Sequence, residues 1–225
     1  MKNNLLFAFV FTFLTSITAR TQGFEVGIST GIGISSYSAW KFRSSEDENT
    51  KRFPFVGYQL KLSGMVQFSE LLGLKAGLQI IQRGEGLELA GTEITSYKGN
   101  TKTTYLVIPI LATVSHSFGD ILVFGQVGPY LGIGLSAKQV SLDPNKNKMK
   151  IPFSEYGRTR FDFGLGIGVG AGYPLGPGKL TFDLMYDIGF LDISYQPKEI
   201  KTGNYKATCN RTFEISIGYV IKIGK

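Results

Sequence analysis

Arg158 to Tyr173 reads RTRFDFGLGIGVGAGY, and these residues decide the fold. From Thr159 onward every second side chain is apolar or nearly so: Thr159, Phe161, Phe163, Leu165, Ile167, Val169, Ala171 and Tyr173. Between them stand Arg158, Arg160 and Asp162, and then glycine at 164, 166, 168, 170 and 172. A period of two is that of an extended strand with two unlike faces. The run far exceeds the roughly 5–6 residues of an ordinary strand. It suits a tilted strand crossing a bilayer, where about 9–11 residues lie in hydrocarbon. The stretch predicts a transmembrane β-strand, with bulky side chains toward lipid and small or charged ones toward a barrel lumen.

The rest of the chain is consistent with one such barrel. Its 225 residues are 43% hydrophobic and 13% aromatic, with 29 glycines, enough apolar surface to exclude a disordered chain. After the N-terminus no apolar run approaches the roughly 18 residues of a membrane helix. A mean hydropathy of +0.05 fits a barrel, whose two faces average out. Lys2, the apolar run 5–14 and the small polar run TSITARTQ have the layout of a secretory signal peptide. Residues 1–21 are therefore expected to be removed, leaving 22–225 as a single domain. Cys209 is the sole cysteine, which excludes an internal disulfide and a thiolate metal site. The net charge of +7 is spread along the chain, and an exported chain of this kind favours an anionic membrane surface over nucleic acid.

Eight strands are predicted, at about 24–35, 55–68, 72–83, 103–115, 121–136, 158–173, 180–190 and 213–223. The fourth and fifth are apolar on both faces, so the sequence leaves their register open. Connections alternate in length. SELL, HSFGD and PLGPG are short, whereas 37–54, 84–102, 137–157 and 191–212 are long and polar. Short periplasmic turns and long outer loops are the pattern of an all-β, antiparallel, up-and-down transmembrane barrel. An eight-stranded barrel has an interior that side chains can fill. The inward candidates are Lys61, Lys75, Arg83, Arg158, Arg160, Asp162, Asp183, Asp187 and Glu214. Buried charges demand partners. The set predicts a largely self-neutralising network and a plugged barrel, with Asp183 and Asp187 paired to Arg158 and Arg160. Tyr58, Phe68, Tyr173, Phe190, Phe213 and Tyr219 are the candidate interfacial aromatics, and Trp40 lies in the first outer loop.

From Tyr105 onward the chain resembles the PorT-like outer-membrane β-barrel family, of OmpA-like barrels. The matching pieces are YLVIP at Tyr105–Pro109, GPYLG at Gly128–Gly132 with Lys138 after it, DFGLGIGVG at Asp162–Gly170, LMYDIGFLDI at Leu184–Ile193 and NRTFEISIGY at Asn210–Tyr219. The resemblance implies an eight-stranded barrel in the outer membrane of a Gram-negative cell. Members mostly have no assigned activity, and the founding one is linked to protein secretion. One departure is the ending Ile223-Gly224-Lys225, where such barrels favour a terminal aromatic for assembly.

Signals for catalysis are sparse. His116 is the sole histidine and is expected in a periplasmic turn, solvated, so a Ser/His/Asp triad has no base near the outer leaflet. No grouped ligands suggest zinc. GLGIGVGAG lacks the x-x-G step of a dinucleotide loop, and PLGPGK has Leu180 where a phosphate loop needs Ser or Thr. Asp183 and Asp187 lie about 13 Å apart along one strand face, too far for a working carboxylate pair. The chain is thus expected to be a monomeric, non-enzymatic barrel without cofactor or metal, presenting four extracellular loops. Accessory work in secretion or envelope assembly is the first alternative, and lipid modification the second. A soluble lipocalin-type barrel would place the bulky face inward. Lys41, Arg43, Lys138, Lys146, Lys148 and Lys150 form a candidate rim for lipopolysaccharide phosphates.

Overall fold

The computed structural model describes residues 23–39, 50–89, 97–141, 148–150, 153, 159–193 and 207–223. Strands β1 (Gly23–Ala39), β2 (Thr50–Gln67), β3 (Leu72–Leu89), β4 (Tyr97–Phe118) and β5 (Ile121–Ser141) are followed by a three-residue strand, β6 (Lys148–Lys150). Then come β7 (Phe161–Leu175), β8 (Gly178–Gly189) and β9 (Thr208–Ile223). All but β6 form an antiparallel ring in chain order, which β1 closes by pairing with β9 from Phe24↔Ile223 to Ala39↔Thr208. β6 adds only to the far end of β5. Closure pairs every barrel strand on both sides, which a chain crossing lipid requires.

The two faces sort as the alternation predicts. On β7, Phe161, Phe163, Ile167 and Val169 are exposed on the outside, while Asp162, Gly164 and Gly166 are buried. Ile28 and Ile32 on β1, Leu60 and Leu62 on β2 and Phe182 on β8 continue the same outward belt. Large apolar side chains turned outward and charges turned inward invert a soluble core; lipid is the solvent that makes this favourable. β4 and β5, unreadable from sequence, also alternate. Tyr105, Val107, Leu111, Gln126 and Tyr130 point inward, and Ile108, Ile110, Val127 and Leu131 outward. Their ambiguity has a physical cause: Ile81, Tyr105, Val107 and Tyr130 form an apolar cluster inside the lumen.

One end of the ring is tight. Gly119 and Gly176 adopt positive φ of 61° and 59° in the two-residue turns after β4 and β7, a conformation glycine takes without strain. After β2 the chain turns through 68–71, where Ser69 Oγ accepts from the N–H groups of Leu71 and Leu72 at 3.3 and 3.0 Å. Gly23 and Ile223 lie at this same end.

At the other end the strands run past the predicted boundaries. The stretch 84–102, expected as a loop, is strand up to Leu89 and again from Tyr97. At 22 and 21 residues, β4 and β5 each reach roughly 55 Å along the barrel axis, nearly twice the hydrocarbon thickness. Polar residues hid this extension, because a strand beyond the lipid belt needs no apolar face.

Candidate functional site: the lumen and its two rims

Arg83 on β3 is 0% exposed and reaches across the ring to β7 and β8. Its Nη1 donates to Asp162 Oδ2 at 2.9 Å and its Nη2 to Asp187 Oδ2. The guanidinium also lies 4.8 Å from the centre of the Tyr130 ring. Asp162 accepts further bonds from Asn210 Nδ2 at 2.8 Å and Tyr130 OH at 3.3 Å. Space for this crossing comes from the glycine face of β7: a Cβ on Gly164 would stand 2.7 Å from the Tyr130 ring, and one on Gly166 2.9 Å from Asp187 Oδ1.

Three further layers lie below, toward the short turns. Gln79 Nε2 donates to Gln59 Oε1 and, at 2.9 Å, to Glu214 Oε2, which also lies 3.7 Å from Lys61 Nζ. Lys75 lies 3.6 Å from Asp183 on the opposite wall, and Gln126 Nε2 donates to the same carboxylate at 3.1 Å. At the mouth, Lys179 and Glu25 pair at 2.6 Å. Such ion pairs hold because each buried charge meets its opposite, and removing one partner strands the other. Packing loosens between these last two layers. A cavity of about 40 Å³ lies against Met65, Leu122, Phe124 and Val220, and a vestibule of about 580 Å³ opens between the short turns. Side chains thus fill the lumen at the Arg83 level, and it widens toward the turns.

The expected inward residues fall as follows. Lys61, Arg83, Asp162, Asp183, Asp187 and Glu214 are buried, and Lys75 is half-buried, all within these layers. Arg158 lies outside the described residues. Arg160 does not join the network: it precedes β7, is exposed, and sits 5.3 Å over the Phe153 ring. Its expected partners are taken by Arg83, with Asp187, and Lys75, with Asp183. Tyr130, Gln126, Asn210 and Lys179 complete the layers. The doubly apolar strands hid the first two, and Asn210 and Lys179 lay in stretches read as loop and turn. Glu25, buried on the inward face of β1, also joins the layers from outside the expected inward set.

His116 is in β4 rather than in a turn, exposed, with its ring 4.7 Å from that of Phe118. Among the described residues no group of three or more His, Cys, Asp or Glu side chains is placed to hold a metal ion. At the far rim, Lys138 pairs in register with Lys102 and with Lys150, while Lys41, Arg43 and Lys146 lie outside the described residues. For Lys148 and Lys150 only the backbone is described, and Trp40 is not. Burial pushes the Glu85 carboxyl up, against the pull of Arg52 at 2.9 Å and the Tyr37 N–H at 3.4 Å. Burial likewise raises the Cys209 thiol.

The sequence model of the outer membrane protein beta-barrel domain matches residues 16–195. No curated protein sequence matches. Among solved structures, the outer membrane protein OprG of Pseudomonas aeruginosa is similar at 15% identity and a TM-score of 0.48, over 90% of this chain and 97% of that one. Neisserial surface protein A is similar at 14% identity and a TM-score of 0.45, over 90% and 99%. The outer membrane protease OmpT of Escherichia coli is similar at 14% identity and a TM-score of 0.41, over 90% and 97%.

Proposed function

This chain belongs to the outer membrane protein beta-barrel domain family, and we propose that it works as a closed barrel through its surfaces, in a structural or interaction role, and not through its bore. It is a small eight-stranded barrel of the outer membrane. The observation that carries the closed reading is Arg83, 0% exposed and bound to carboxylates across the ring. A solute crossing here would have to break charge-assisted bonds in a buried layer. Planar-bilayer recording tests this: the folded chain should give no sustained conductance, and steady channels would overturn the reading.

The finer parts of the proposal rest on sequence. The layout of residues 1–21 supports a cleaved export signal, and the ordered motifs from Tyr105 to Tyr219 support a PorT-like barrel of a Gram-negative cell. Alternating connection lengths support four extracellular loops and periplasmic short turns. We propose a monomer in contact with outer-membrane lipid, lipopolysaccharide included, and without cofactor or catalysis.

One observation favours a second reading, an accessory of secretion or envelope assembly. The vestibule of about 580 Å³ gives the short-turn end a concave surface for a periplasmic partner. Gentle extraction in detergent distinguishes the two: a stoichiometric partner supports the accessory role, and a clean monomer supports the first reading.

A further inference from the structure

Lys102 and Lys138 sit directly opposite each other on β4 and β5, and Lys150 on β6 follows in register beside Lys138. Side chains opposite each other across antiparallel strands are about 4.5–5.5 Å apart at Cβ, and like charges so placed repel. Among the other described pairings no two cations stand opposite each other, and Lys61, Lys75, Arg83, Lys98 and Lys179 each lie beside a carboxylate, as Arg52 does. Lys102 and Lys138 have no ion pair among the described residues.

Their height explains what else is available. Along the outward face of β4 the order is Ile110, Ile108, Leu106, Thr104, Lys102; on β5 it is Leu131, Ile133, Leu135 and then Lys138. The extra residue that shifts register between Thr104 and Tyr105 is Leu135, the last exposed apolar residue of β5. Both lysines therefore follow the end of the lipid belt, roughly 7–10 Å further along the axis by strand rise and tilt. Lysine stems of intermediate exposure reach back toward such a boundary with the ammonium at its polar side. This is the level of the outer-leaflet headgroups.

We propose that Lys102 and Lys138 form a binding site for the phosphate of an anionic glycolipid in the outer leaflet. This rests on the reading of the chain as an outer-membrane barrel. The shared anion converts a repulsive pair into two charge-assisted contacts.

The test compares wild type with the Lys102→Gln/Lys138→Gln double variant by thermal unfolding, read as heat-modifiable migration. The full chain is reconstituted in vesicles of zwitterionic phospholipid alone, with phosphorylated lipid A, or with the same glycolipid dephosphorylated. The sign should invert: without phosphate the double variant melts higher than wild type, and with phosphorylated lipid it melts lower. Lys138→Glu should melt higher than wild type in zwitterionic vesicles and lose the lipid response. Lys98→Gln, whose lysine is paired with Glu88 at 3.1 Å, should show no inversion. A difference of one sign in all vesicles would overturn the site, as would an equal response to the dephosphorylated lipid. Inorganic phosphate reproducing the effect in zwitterionic vesicles would also overturn it, by showing a free-anion site. Failure of wild type to give a heat-modifiable band in any vesicle would sink the membrane reading itself, and the site with it.

Discussion

Arg83 is the residue on which the closed lumen depends. It satisfies two carboxylates on different strands, so a lysine, with its single point of charge, cannot replace the fork. Arg83→Met should cost about 3–5 kcal/mol by stranding Asp162 and Asp187. Urea titration of the detergent-folded barrel measures this, and Arg83→Lys should recover less than half. Beyond the lipid belt, Glu85 behaves differently. Its carboxyl is raised above the ordinary range because burial outweighs Arg52 and the Tyr37 N–H. A raised acid weakens the fold when ionised and stops doing so below its unfolded pKa, about 4.3. Glu85→Gln should therefore match or exceed wild-type stability at neutral pH, and the gap should close as pH falls to about 4. Cys209, buried and raised, should resist alkylation at pH 8 in the folded barrel and react once unfolded in urea.

At the scale of the element, β7 carries two solvents on neighbouring residues. Ile167 faces outward at 52% exposure and Gly166 inward against Asp187. Ile167→Arg should cost about 2–4 kcal/mol, as a charge brought to the lipid face. Gly166→Leu should cost about 1–3 kcal/mol for a different reason, since the lumen has no volume to give. Lipid thickness separates them: the first penalty should shrink in short-chain detergent micelles, where water reaches the barrel wall, and the second should not. The alternation that marks β7 was legible because its two faces differ so sharply in residue size. On β4 and β5 it was not, since Tyr105 and Val107 turn apolar surface inward to cover Ile81.

On the proposed closed reading the molecule as a whole is a cup and not a tube. The layers at Arg83, Gln79, Lys75 and Lys179 run down the bore, and the last two line the cavity toward the short turns. A cysteine placed at Thr181 should be labelled by a membrane-impermeant thiol reagent from the short-turn side alone, in a Cys209→Ser background. One at Thr212, which is 0% exposed, should remain unlabelled from either side. Labelling of both from both sides would mean a continuous path.

What the sequence determined was the solvent: period two with bulky residues on one face and glycine or charge on the other leaves hydrocarbon outside as the stable arrangement for Phe163, Ile167 and Val169. It also determined that the charges inside must be paired, because burial allows nothing else. Which acid meets which base was decided by tertiary structure alone. Arg83 and Asp187 lie 104 residues apart and meet because ring closure sets β3 opposite β8. Arg160 falls outside the network because β7 begins one residue after it. Pattern along a strand reports which face a residue takes; only closure of the ring sets the height and the partner at which it ends.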